Sequence, residues 1–95
     1  MLYELSFEAV DDLENIFENT YYQLGYDQAT KYLDSFDAFF YDLCLHPYIG
    51  ILRDELLAEL RSINHQSHLI FYRLKDNKII IIRILHGSRD LPRYF

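Results

Sequence analysis

Four consecutive isoleucines, Ile79-Ile80-Ile81-Ile82, followed after one arginine by Ile84-Leu85, constrain this chain more than any other feature. A strand turns successive side chains to opposite faces, so an unbroken β-branched run leaves no wet face. It predicts an interior strand over 79–85, covered on both sides. Two further strand-like runs precede it, Leu60-Arg61-Ser62-Ile63 and His68-Leu69-Ile70-Phe71-Tyr72-Arg73, and Lys75-Asp76-Asn77-Lys78 supplies turn chemistry. A hairpin about Asp76-Asn77 that sets Leu74 opposite Ile79 gathers Leu69, Phe71, Ile80, Ile82 and Ile84 on one face, the expected core face. The other face then holds His68, Ile70, Tyr72, Ile79, Ile81 and Arg83, whose phenol, imidazole and guanidinium could grip an anion or a carboxylate-bearing arm. A one-residue slip would exchange the two faces. A structural reading stays open beside it, with Tyr72 and His68 at an amphipathic rim and Arg83 laid over apolar surface.

Upstream, Leu2 to Leu5 is a short strand, Ser6 an N-cap, and Glu8, Asp11 and Asp12 fall where a helix dipole favours anions. Val10, Leu13, Phe17, Tyr21 and Leu24, widened by Ile16 and Thr20, form the apolar stripe of a first helix that Gly25 ends. Asp27 is placed to cap a second helix with its stripe on Ala29, Tyr32, Leu33, Phe36, Phe40 and Leu43, ending near His46 before Pro47. So short a connection predicts an antiparallel helix hairpin covering one face of the sheet. From Pro47 to Arg53 a loop is expected, and Leu56 to Leu60 reads equally as helix or extended chain. In the tail Pro92 discourages a helix, and Tyr94 and Phe95 either pack back on the sheet or stay free to bind. The expected fold is therefore α+β: an N-terminal strand, an antiparallel helix hairpin, then a three-stranded antiparallel run completing one small sheet. All 95 residues, half of them hydrophobic, suit a single domain over 1–95.

Several function classes are disfavoured. No segment has the length or apolarity to cross a bilayer, and Met1-Leu2-Tyr3-Glu4 opens no secretory leader, so a cytoplasmic protein without membrane attachment is expected. The single Cys44 and the histidines at 46, 65, 68 and 86 match no zinc spacing, and no metal or other cofactor is expected. A net charge of −6 argues against direct sequence-specific DNA binding. That charge is unevenly spread. Residues 1–60 carry 13 acidic side chains against Lys31 and Arg53, a net of −11, whereas 61–95 carry seven basic against Asp76 and Asp90, a net of +5. Such asymmetry marks a docking surface for a charged partner.

Six stretches in order, Tyr3-x-Leu5-Ser6-x-x-Ala9-x-x-Asp12-Leu13-x-x-Ile16, Gly25-x-x-Gln28-Ala29-x-x-Tyr32, His46-Pro47-x-x-Gly50, Leu60-Arg61-Ser62, His68-x-Ile70-Phe71-Tyr72-Arg73 and Arg83-Ile84-Leu85-His86-Gly87-x-Arg89-Asp90, carry a resemblance over nearly the whole chain. With them the sequence resembles the ParE/RelE superfamily of bacterial type II toxins, and its wording is closer to the ParE branch. The resemblance implies a plasmid-stabilisation type of toxin–antitoxin module, in which the cognate antitoxin wraps the toxin with an extended arm. A ParE-like toxin would arrest growth by inhibiting DNA gyrase. A RelE-like one would cleave mRNA at the ribosome, and an inactive homologue would keep only antitoxin binding.

Under the first reading Arg61, Arg73, Arg83 and Arg89 form the charged docking surface for antitoxin or target, supported by Tyr72, Tyr94 and Phe95. No catalytic residue is then expected. Under the ribonuclease reading Arg61 and Arg89 would stabilise phosphate, His68 or His86 would be general base and Tyr94 would stack or donate a proton. The lysines that RelE-type enzymes use are missing before Leu60-Arg61, where Leu57, Ala58 and Glu59 stand.

Overall fold

The computed structural model describes residues 1–87 and 91–95. It shows β1 (Leu2–Leu5), α1 (Phe7–Leu24), α2 (Tyr26–Leu45), β2 (Ile51–Leu52), β3 (Arg61–His65), β4 (His68–Lys75), β5 (Lys78–His86) and a final 3₁₀ turn over Leu91–Tyr94. The strands make one open sheet in the order β1-β5-β4-β3-β2, mixed because β1 runs parallel to β5 while the other pairs are antiparallel. The isoleucine strand is interior, as its sequence demands. The two-residue strand β2, expected as loop, is added at the far edge, where Ile51 pairs with Ser62 and Leu52 with Arg61.

β1 covers only the first half of β5, from Lys78 to Ile81. Helix α1 takes over the remaining edge. The Ser6 N–H bonds Ile81 O at 2.9 Å, and the Ser6 hydroxyl donates to Ile82 O at 2.7 Å while accepting from Ala9 N at 3.0 Å as the N-cap. One and a half turns on, the Asp12 carboxylate accepts the Ile84 N–H at 2.9 Å and a bidentate pair of bonds from Arg83 at 2.8 and 2.7 Å. Backbone groups that a sheet edge would leave open are satisfied by the helix.

The hairpin turns at Asp76 and Asn77, both with positive φ as a two-residue turn requires, and Leu74 faces Ile79. The expected register then fails at a β-bulge. Tyr72 pairs with Ile81 but Phe71 with Arg83, which leaves Ile82 as the extra residue and reverses the alternation beyond it. Two corrections follow. Ile70, Tyr72, Ile79, Ile81 and Ile84 pack under the helices with Phe36, Phe40 and Leu43, so the face expected to be mixed is the main core. Arg83 passes to the opposite side, away from Tyr72. There Leu60, Phe71 and Leu85 form a second apolar cluster closed by Leu56, Leu57, Leu91, Tyr94 and Phe95. The tail packs back, with Phe95 4.9 Å from the Phe71 ring, and Leu56–Leu57 pack beneath the sheet as turns rather than as a helix.

The helices form the expected hairpin, but the connection is Gly25 alone, at φ 90°, which ends α1 and begins α2. Asp27 therefore lies in the first turn and caps nothing. The inward stripe of α1 is also rotated from expectation: Ala9, Asp12 and Ile16 are buried, while Val10, Tyr21 and Leu24 are exposed. An acid on the inner stripe is possible because β5 offers it three donors.

Tyr72 fixes the α2–β2 loop. Fully buried, its hydroxyl donates to Pro47 O at 2.8 Å and accepts from Gly50 N at 2.9 Å, and a Cβ at Gly50 would sit 2.6 Å from that oxygen. Tyr72→Phe should lower stability by about 1–3 kcal/mol in urea unfolding, the cost of leaving two buried backbone groups unpaired. Asp12→Ala should lower it by about 3 kcal/mol, since it strands Arg83 and opens the edge at Ile84. Equal midpoints for Asp12→Ala and wild type would show that water replaces the carboxylate at no cost.

Candidate functional site

The expected site residues fall into three groups. At one end of the sheet the β3–β4 and β4–β5 pairings set His65 opposite His68 and His68 opposite His86. Helix α2 supplies their partners: the Tyr32 hydroxyl lies 2.7 Å from His68 Nδ1, and Ser35 Oγ lies 2.9 Å from His65 Nε2 while donating to Tyr32 O. Burial lowers the pKa of both His65 and His68, with neighbouring His86 and His65 adding repulsion at His68. Burial also raises Tyr32, so phenol and imidazole meet as neutral groups, and the His68 tautomer decides which of them donates. A neutral imidazole can act as a base or as a hydrogen-bond partner.

At the other end Arg61 pairs with Tyr72 across β3–β4. Its guanidinium donates to Gly50 O at 2.8 Å and Tyr48 O at 3.2 Å and lies over the Tyr48 ring. Beside it the open edge of β2 carries exposed Ile51 and Leu52, and the preceding loop exposes Tyr48 and Ile49. Arg73 pairs with Ile80 and is half-buried. Arg61 and His68 are separated by the length of β4 from Tyr72 to His68, about 13 Å along a strand. They do not share a site.

The third group surrounds Arg83. Its guanidinium is locked on Asp12, which raises its pKa, and stacks 5.0 Å from the Tyr94 ring. A cleft of about 500 Å³ at this edge is lined by Arg83, Tyr94, His68 and His86 together with Asp12 and Asn15. The structure thus unites His68, His86, Arg83 and Tyr94, leaves Arg61 apart and places Tyr72 in the core, where no partner can reach it. Phe95 is packed on Phe71. Arg89 lies outside the described residues. Among the described residues no group of three His, Cys, Asp or Glu side chains could hold a metal ion, and no helix is long and apolar enough to cross a membrane.

Sequence reasoning missed Asp12, Tyr32, Ser35 and His65. Asp12 had a signal: at i+3 from Ala9 and i−4 from Ile16 it stands on one helix face with them, and an acid among buried positions implies a buried partner. The histidines impose a pH dependence of known sign. Unfolded, both recover the ordinary value near 6.5. The folded chain therefore binds fewer protons, and the stability they permit is complete above about pH 6.5 and is lost as pH falls through the depressed folded values. Urea midpoints should be flat from about pH 8 to 6.5 and fall below it, and His65→Gln/His68→Gln should flatten that fall.

Comparison with known proteins agrees over the whole fold. The family model described as the ParE toxin of the type II toxin–antitoxin system parDE matches residues 3–91. Toxin ParE1 of Mycobacterium tuberculosis is 35% identical over 92 residues, covering 96% of this chain and 94% of the relative, and Toxin ParE1 of Caulobacter vibrioides is 34% identical over 88 residues, covering 93% and 91%. A solved structure titled as a chromosomal ParDE TA system from P. aeruginosa superposes with a TM-score of 0.78 at 20% identity, over 90% of this chain and 95% of that one, which shows the shared fold. The family-model match from residue 3 to 91, with relatives about one-third identical over most of their length, places the chain in the ParE toxin family of type II toxin–antitoxin systems.

Proposed function

We propose that this protein is a cytoplasmic toxin that inhibits DNA gyrase by binding it and is neutralised by a cognate antitoxin. The observation that carries the reading is the family match over residues 3–91. The chemistry of the cleft supports it. Cleavage of RNA by its own 2′-hydroxyl needs cations on the developing phosphorane as well as a base. His68 and His86 could supply the base, but the one guanidinium described beside them, Arg83, is neutralised by Asp12. The face beneath the sheet, where a substrate strand could lie, is filled by Leu60, Phe71, Leu85 and Phe95.

The antitoxin's arm docks at the β2 edge in this reading. Arg53 N–H bonds inward to Leu60 O at 2.7 Å, so the Leu52 N–H, one residue back, points out to the open edge. An added strand would bond there, cover Ile51 and Leu52, and bring acidic side chains to Arg61 and Arg73. Arg83, Tyr94 and Phe95 then act by holding the sheet in shape, and Arg89 is kept as a docking cation.

Induction without antitoxin should stop DNA synthesis before protein synthesis in parallel pulse labelling, and the purified chain should inhibit gyrase supercoiling. Protein synthesis stopping first, with mRNA cut at the ribosome, would establish the ribonuclease instead. Leu52→Pro, which deletes the outward N–H and spares the inward bonds, should weaken antitoxin binding about tenfold by calorimetry with little change in thermal midpoint.

A further inference from the structure

The 500 Å³ cleft does not end at the histidines. A second cleft of about 660 Å³, between the helix hairpin and the β3–β4 turn, shares Asn19, His68 and His86 with it, so the two form one trough along α1. Asn15, Asn19 and Gln23 stand on the helix wall of that trough, four residues apart and exposed. Four helical residues advance about 6 Å. An extended peptide repeats its sideways-facing peptide groups every two residues, about 6.6 Å. Each carboxamide offers a donor and an acceptor, the complement of a peptide group. Three such side chains in step make a ladder about 12 Å long, enough for four residues of extended chain.

The facing wall sets the charge. Lys31, Tyr32, Ser35, His68 and His86 line it. Among the described lining residues of both clefts the sole carboxylate is Asp12, and it is already bonded to Arg83 and to the Ile84 N–H. In a chain of net −6 whose first 60 residues carry −11, a strip of this length whose one carboxylate is already paired is electrostatically distinct. A nucleic-acid strand would bring a phosphate at a comparable spacing, but each phosphate calls for a cation. Amides outnumber cations here.

We propose that this trough is a docking site for an extended acidic peptide segment of a partner protein, with Asn15, Asn19 and Gln23 bonding its backbone and Lys31, His68 and His86 meeting an acidic side chain. The site is separate from the β2 edge, and it stands whether gyrase or another protein is the cellular target.

The probe is an octapeptide of alternating glutamate and serine, titrated to about 5 mM so that even a millimolar Kd is read. Side-chain amide signals of Asn15, Asn19 and Gln23 should shift in ¹⁵N NMR spectra, and the lysine–serine counterpart should leave them in place. Asn15→Ala, Asn19→Ala and Gln23→Ala, all at exposed helical positions that tolerate alanine, should each weaken binding about fivefold, as one lost hydrogen bond predicts. Unmoved amide signals, equal binding of the basic peptide, or shifts produced by an oligouridylate and not by the acidic peptide would each overturn the proposal. Because the readout uses the isolated chain and a synthetic peptide, failure here leaves the toxicity and gyrase results unaffected, and the reverse also holds.

Discussion

The Asp12 carboxylate does for the upper half of β5 what another strand would otherwise have to do. β1 is only four residues long, so beyond Ile81 the central strand would present bare donors and acceptors to the flank of α1. A helix cannot continue a ladder, because its own backbone groups are spent internally. Side chains must do it: Ser6 takes the carbonyl of Ile82, and Asp12 takes the amide of Ile84 while holding Arg83. This seam fixes the helix against the strand, and with it the position of every group on α1 relative to the histidines at the end of the sheet.

The seam also determines what the arginine can do. A guanidinium bonded bidentately to a buried carboxylate is a fixed, neutralised structural element. Among the described residues of the second half, Arg61 on β3 and Arg73 on β4 line neither cleft. The concave regions are polar, with Lys31 the one lysine lining them and Arg83 held by Asp12, an arrangement suited to gripping chains of other proteins rather than to phosphoryl chemistry.

Much of the fold was legible in the residues. Ser6, Gly25 and Pro47 punctuate the helices, the Asp76-Asn77 pair forces its turn, and a four-isoleucine run has no place except the middle of a covered sheet. What was not legible depends on tertiary geometry. Nothing local in Ile81-Ile82-Arg83 announces a bulge, which shows only in the pairing of β5 with β4. β2 is two residues long and exists only because β3 lies beside it. The site suffered for the same reason. Residues ordered by strand position, such as Arg61 and His68, are far apart in space, whereas Tyr32 and Ser35 reach the histidines from a helix more than 25 positions away.

The bulge at Ile82 has a bearing on how sequences of this kind are compared. One residue has been inserted into an otherwise uniform ladder, and it is one of four consecutive isoleucines that are interchangeable to the eye. A relative whose fifth strand is unbulged would be one residue shorter there, and any of the four positions would accept the gap with nearly equal score. Every such gap leaves Arg83 in its own column, but only a gap at Ile82 keeps Ile79 and Ile81, which face the helices, matched to residues that do the same. The isoleucines of such relatives are therefore better matched by their partners on the fourth strand than by column, and a misplaced gap would set residues of one face of the sheet against those of the other.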